Sequence, residues 1–252
     1  MGNEIMTNYN TYIMTKVEKV RCLVLAYIFI FAVSYLFYAN IVISLLFSCS
    51  AYMYLKIKTK QMIMKRKRQL LLEFKDAIYL LSTSLSAGYS VENAFKKTLE
   101  ALRDLYQGQE TLIIKELETI VQQTGLNKSI STLLLSFSKR AEIEDITNFV
   151  DVFITCENIG GNLNEVIKTT SNIISEKIEV EEEIGILVTQ KKMEQKVISI
   201  IPICIMLILS LTASDYLTPL HNSFAGYVVV TVALTTIFTA SIVAKKIMDI
   251  KV

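Results

Sequence analysis

Little in this 252-residue chain punctuates the backbone, which carries two prolines, eight glycines and no tryptophan. It lacks the turn chemistry of an all-β fold and is too apolar for a disordered chain. Histidine is nearly missing. The single His221 stands beside Asn222 in a short polar gap between two apolar runs, so a His-based triad or a multi-His metal site would lack its parts. Cys22, Cys49, Cys156 and Cys204 are far apart, and no C-x-x-C or Cys/His ligand spacing occurs. Neither a disulfide framework nor a metal site is expected. A dominant charge is absent too: 26 basic against 24 acidic residues leave a net +2, without the basic excess that phosphate neutralisation needs. Nucleic acid is therefore not an expected partner. No G-x-x-x-x-G-K-[ST] phosphate loop and no acid/base or nucleophile constellation is present, so the chain is expected to be no enzyme and to hold no cofactor.

What is present is apolar surface alongside charge. Hydrophobic residues make up 52% and mean hydropathy is +0.43, so the charged residues must be segregated along the chain. Residues 22–55 hold no charge at all. As one helix they would be roughly 51 Å long against a hydrocarbon core of about 30 Å, which points to a hairpin of two spans, 22–38 and 41–55, turning near Asn40. A second pair follows at 197–213 and 225–244, joined by the loop 214–224. Pro202 falls in the first turns of its span, where a missing N–H costs least.

Orientation follows from the lysines and arginines. Three precede the first span, seven follow the first hairpin, Lys191, Lys192 and Lys196 precede the third span, and Lys245, Lys246 and Lys251 follow the fourth. With four spans all 26 basic residues fall on one side. That puts the segment 1–21, the middle of the chain and the tail 245–252 in the cytoplasm. The polar lead with Glu4 and Glu18 does not read as a cleavable signal, and Met6 occupies the Ser/Thr position that myristoylation at Gly2 would need. The basic run Lys65, Arg66, Lys67 and Arg68 suits contact with anionic lipid, although its role in setting topology explains it fully.

Residues 56–196 carry 20 basic and 20 acidic residues and form a soluble helical domain between the hairpins. Leu72, Ala77, Leu80, Leu81 and Leu85, then Ile143, Ile146, Val150 and Phe153, recur at helical spacing. Caps divide the domain into about six helices. Gly88 ends the first and Ser90 caps the second, with Glu92 in its first turn; Gly108 precedes a helix over 110–124 that stops at Gly125. Asn127 caps the next, a helix over 142–159 stops at Gly160 and Gly161, and Asn162 with Glu165 resembles a capping box opening a helix expected to run through Lys196 into the third span. The fold class expected is an all-α polytopic membrane protein: two transmembrane hairpins flanking a cytoplasmic six-helix bundle.

Three stretches resemble a known family. Residues 81–95, "LSTSLSAGYSVENAF", are similar to the helix, small-Gly, Ser cap and helix that open an F domain of the type II secretion system F family. Residues 125–133, "GLNKSISTL", resemble its central Gly, cap and Leu turn. Residues 149–167, "FVDVFITCENIGGNLNEVI", resemble its acidic residue before Gly-Gly, then Leu and a further acidic residue opening a long helix. On that resemblance Gly88, Ser90, Gly125, Glu157, Gly160, Gly161, Leu163 and Glu165 are structural or partner-contact candidates. One F domain among four spans is similar to inner-membrane platform proteins of Tad-type and related type IV pilus-like machines. The resemblance implies a non-enzymatic scaffold whose partners are a hexameric assembly ATPase, a second platform protein or further copies of itself, pilin subunits and membrane lipid. Tyr89 departs from the pattern, which would place a smaller aliphatic residue there.

Plainer readings stand beside these. The glycines supply φ > 0 or close approach at helix ends. Glu176, Glu179, Glu181, Glu182 and Glu183 are by default a solvated helix face rather than a cation or ATPase site. Asp145 and Asp151 do not share a face closely enough for paired acid/base work, and Cys156 reads as a core residue. A membrane-anchored helical adaptor is the alternative function. A transporter is disfavoured because the spans hold no ionisable relay beyond Ser, Thr, Tyr and Cys.

Overall fold

The computed structural model describes residues 9–10, 15–159, 163–213, 217–220 and 223–248. Among them every extended element is an α-helix. These are α1 (Lys16–Tyr38), α2 (Ile41–Ser48), α3 (Ala51–Ser86), α4 (Val91–Leu105), α5 (Leu112–Thr124), α6 (Ile130–Ala141), α7 (Glu144–Ile159), α8 (Leu163–Thr212) and α9 (Phe224–Met248). The chain divides into two compact units: Met1–Ile13 with Thr59–Val180, and Met14–Lys58 with Glu181–Val252. Helices α3 and α8 contribute residues to both.

In the first unit the helical spacing becomes a packed interior. Leu70, Phe74, Ala77, Ile78, Leu81 and Leu85 line the inner face of α3, and Ile146, Phe149, Val150 and Phe153 that of α7, all buried. Phe74 meets Phe149 edge to face at 5.3 Å between ring centroids, and Phe95 meets Phe153 at 6.4 Å, geometries that favour aromatic quadrupoles. Cys156 lies at the margin of this interior, half-buried rather than in the core expected of it. A cavity of about 20 Å³ remains among α3, α4, α5, α6 and α7, bordered by Phe74, Phe95, Thr98, Ile113, Phe137 and Phe149. It has room for about one water.

Three α-turn endings follow from residues that tolerate φ > 0. After α3, Gly88 at φ 88° is the left-handed residue; its N–H donates to the Leu85 carbonyl and that of Tyr89 to the Ser84 carbonyl. These two bonds satisfy carbonyls the helix leaves open. After α4, Gln107 and Gly108 play that part, at φ 51° and 76°. After α5 the left-handed residue is Asn127 at φ 63°, and the Lys128 N–H donates to the Gln123 carbonyl. Asn127 therefore ends α5 instead of capping α6 as the sequence suggested; Ser129 holds the N-cap of α6. Asparagine tolerates this conformation better than most side chains. Helix α5 likewise starts after Thr111, whose hydroxyl accepts from the Ile114 N–H, rather than at Glu110. Glu142 terminates α6 at φ 46° and does not begin α7.

Buried carboxylates in this unit are paired, whereas the buried hydroxyls of Thr98 and Ser171 have no hydrogen-bond partner. Glu73, 4% exposed, accepts from the Gln69 amide at 2.8 Å and from the Ile113 N–H at 3.0 Å. The carboxylate thus serves an open donor in the first turn of α5, where the helix dipole favours negative charge. Tyr106 donates to Asp76 at 2.8 Å, and Lys177 pairs with Asp145 at 2.8 Å.

The second unit is built differently. Among the described residues three helices are long and apolar enough to cross a membrane: Val17–Tyr38, Leu163–Thr212 over its apolar part and Phe224–Ala244, with mean hydropathies of 2.2, 2.0 and 2.1. Only 11%, 0% and 6% of their apolar windows are buried. A small cluster joins α1 and α9, where Tyr38 stacks on Phe47 and Tyr227 and its hydroxyl lies 3.0 Å from that of Thr231. Helix α1 turns into α2 at Ala39, left-handed at φ 47°, and Asn40 caps α2 by accepting from the Val42 and Ile43 N–H groups.

Two expectations change here. The second leg, 41–55, is not one helix: α2 stops at Ser48 and α3 starts at Ala51. Ser48 Oγ donates to the Ser44 carbonyl at 2.8 Å and Ser50 Oγ to that of Phe47 at 2.7 Å. Hydroxyls compete in this way with helix backbone bonds, and Ser50 N–H bonds three residues back, to Phe47. Pro202, in the first turns of its span, lies inside the 50-residue α8 and not where a missing N–H costs least, since it offers no N–H to the Ile198 carbonyl. The loop positions His221 and Asn222 and the cap position Asn162 lie outside the described residues.

Candidate functional site

The stretches that resemble one another's role in sequence, three helix-to-helix turns, gather at one end of the first unit. Two side-chain contacts and one ring pair fix this. Asn164, in the first turn of α8, donates from Nδ2 to the Leu85 carbonyl at 3.1 Å, tying α8 to the end of α3. Ser131, in the first turn of α6, donates to Glu157 near the end of α7. Phe95 on Phe153 joins the start of α4 to the same part of α7. The ends of α3 and α7 and the starts of α4, α6 and α8 therefore lie at one end of the unit, while Gln107, Gly108 and Glu142 lie at other turns.

Each candidate residue has a defined place there. Gly88 holds the left-handed position, and a Cβ built on it would meet nothing within 4 Å, so conformation and not space calls for glycine. Ser90 occupies the N-cap of α4, but its side chain makes no capping bond; the Ala94 N–H donates to its backbone carbonyl at 2.8 Å. Gly125 is right-handed at φ −61°, and an added Cβ would lie 3.3 Å from the Gln122 carbonyl oxygen. Glu157 is exposed and spends one oxygen on Ser131. Leu163 packs half-buried against the core, and Glu165 stands in the first turn of α8. Gly160 and Gly161 lie outside the described residues.

Sequence periodicity did not reveal what these turns present. Each carries one large apolar side chain to solvent: Tyr89 at 46%, Leu126 at 75% and Ile159 at 79% exposure. Single exposed apolar residues are ordinary; here one stands at or beside each of the three family-like turns. No cluster of three or more His, Cys, Asp or Glu that could hold a metal occurs among the described residues. The acidic residues Glu176, Glu179, Glu182 and Glu183 are exposed along α8, in keeping with a solvated face.

A second polar constellation was not legible in the sequence. Tyr9, 2% exposed, donates to Glu116 at 2.8 Å, and Arg140 grips the same carboxylate through both oxygens at 2.6 Å each. The Arg66 guanidinium lies 5.2 Å from the centre of the tyrosine ring, within cation–π range. Burial, and next the adjacent Glu116 carboxylate, push the Tyr9 hydroxyl far above the ordinary tyrosine range. Tyr9 is therefore a neutral donor at physiological pH. A tyrosine in a polar lead has no period to betray it.

No family model, no curated protein and no solved structure matches the chain.

Proposed function

We propose that this chain is a non-enzymatic platform protein of a type II secretion or type IV pilus-like, Tad-type assembly machine in the cytoplasmic membrane. It couples a cytoplasmic assembly ATPase to the insertion of pilin subunits into a filament. The observation that carries the reading is the convergence of the three family-like turns on one end of the helical unit, with Tyr89, Leu126 and Ile159 exposed on them. In this reading the turns dock the ATPase, because the chain has no energy-coupling motif of its own. The chain's near-neutral charge means that docking rests on local patches rather than on bulk attraction.

The same reading gives the chain a first hairpin formed by α1 with α2 and the start of α3, a second formed by the end of α8 with α9, and a cytoplasmic middle. A second platform protein or further copies of this one, and lipid, cover the apolar faces of the spans. Affinity capture with the full-length protein in detergent tests the partner: co-purification of an assembly ATPase, lost on combining Leu126→Asp with Ile159→Asp, supports the platform. Capture without the ATPase, together with normal filaments in a strain lacking the protein, leaves the membrane-anchored adaptor instead. Membrane-impermeant thiol labelling of intact cells tests the topology, since a cytoplasmic Cys156 stays unlabelled until the membrane is opened.

A further inference from the structure

The Tyr9 constellation has the attributes of a binding site with its ligand in place. Three helices build it: α3 supplies Arg66, α5 Glu116, and α6 Phe137 and Arg140. Phe137 meets the tyrosine ring edge to face at 6.5 Å and 82°, Arg66 covers a ring face, and Glu116 receives the hydroxyl. The backbone joins in, since the Tyr9 N–H donates to the Arg140 carbonyl at 3.3 Å. The site thus reads an apolar ring, a terminal donor and a backbone N–H together. Phenylalanine would satisfy only the first of the side-chain requirements.

Tyr9 itself lies in a turn, and the backbone bond its departure would break is that from its N–H to the Arg140 carbonyl. That departure would not orphan a buried charge, because Arg140 continues to hold both oxygens of Glu116. A plug whose removal leaves its socket electrostatically satisfied is a separable part. We propose that α3, α5 and α6 form a socket for a tyrosine-bearing segment, and that the chain's own residues ahead of α1 are its reversible intramolecular ligand. The inference stands apart from the proposed function and holds whether or not an ATPase binds.

Hydrogen exchange on the full-length protein in lipid nanodiscs tests it. Tyr9→Ala should speed exchange of α5 and α6 amides around Glu116 and Arg140, leaving α9 unchanged. Adding a synthetic peptide of residues 2–15 should restore protection saturably. A peptide with phenylalanine at position 9 should bind about tenfold more weakly, the usual cost of losing a hydrogen bond to a charged acceptor. A peptide with alanine there should restore nothing. Should Tyr9→Ala fail to fold, Tyr9→Phe keeps the ring, and the wild-type peptide should then compete with the variant's own segment at the socket. Unchanged exchange in both variants overturns the proposal, as does equal protection by the alanine peptide. Protection of isotopically heavy Tyr9→Ala protein by admixed light wild-type protein also overturns it, because a second copy would then be the occupant.

Discussion

Phe74, Phe137, Phe149 and Phe153 are each 3% exposed or less, whereas Ile205, Ile208 and Leu211 are 51%, 60% and 80% exposed. The first set belongs to α3, α6 and α7 of the first unit, the second to the apolar end of α8, and both sets are apolar residues. In the first unit side chains of one helix solvate those of another, and polar groups appear where Glu73, Glu116 and Asp76 have partners. In the second, apolar residues surround each helix rather than forming a stripe, which is the pattern of a helix solvated by hydrocarbon. Stability should accordingly respond to lost volume in one unit and to added charge in the other.

The widest separation should come from truncating one residue of each set. Phe149→Ala removes a ring from a site where Phe74 and Phe153 cannot close the gap, and should cost about 3–5 kcal/mol. Ile208→Ala should change folding stability little, because lipid fills the space. Chemical denaturation of both variants in the same detergent measures the contrast; equal losses would break it. Next in size is Ile208→Arg. A charge at that depth should disfavour insertion by about 2.5–3.5 kcal/mol, read as a shift from membrane-inserted to non-inserted product in a glycosylation-mapping assay. Arginine in place of exposed Lys139 in the first unit should do nothing there.

A smaller effect is expected at Glu73. Replacing it by alanine leaves the Ile113 N–H buried without its acceptor and should cost about 1–3 kcal/mol. Hydrogen exchange should localise the damage to the first turn of α5. If exchange rises instead throughout the second unit, the two regions are not the separate stability domains that their packing implies.

Several of these features could be read from the sequence and others could not, for identifiable reasons. Ala77, Leu81, Leu85, Ile146, Val150 and Phe153 announced their face by spacing, and all are buried. Gly88 announced a helix end because few other residues tolerate φ 88°. Asn127 misled because asparagine suits both an N-cap and a left-handed C-terminal position, and only the path of the chain to Ser129 decides between them. The break at Cys49 and Ser50 carries no Gly or Pro; it depends on serine hydroxyls choosing backbone carbonyls. Glu73, Glu116 and Arg140 look like surface charges, since partners from other helices, the Ile113 N–H for Glu73 and the Glu116–Arg140 pair, leave no local pattern. At the three-turn end the turns were legible, but their convergence and the exposure of Leu126 and Ile159 were not.

The mildest test uses pH. Burial, then the hydrogen bond to Asp76, raises the Tyr106 hydroxyl above its ordinary range, and Tyr9 is raised in the same direction. An unfolded tyrosine loses its proton near pH 10, while both groups keep theirs in the folded unit. Their contribution is fully present below about pH 10 and is lost as pH rises through the higher folded-state values, because the unfolded chain gives up its protons first. The wild-type melting temperature should therefore be flat from neutral pH to about 9 and fall beyond 10. A Tyr9→Phe, Tyr106→Phe double variant should start lower, having lost two hydrogen bonds, and fall less steeply above pH 10. Parallel curves would mean that the alkaline transition arises elsewhere, and would remove the claim that these two buried hydroxyls distinguish the packed unit from the lipid-facing one.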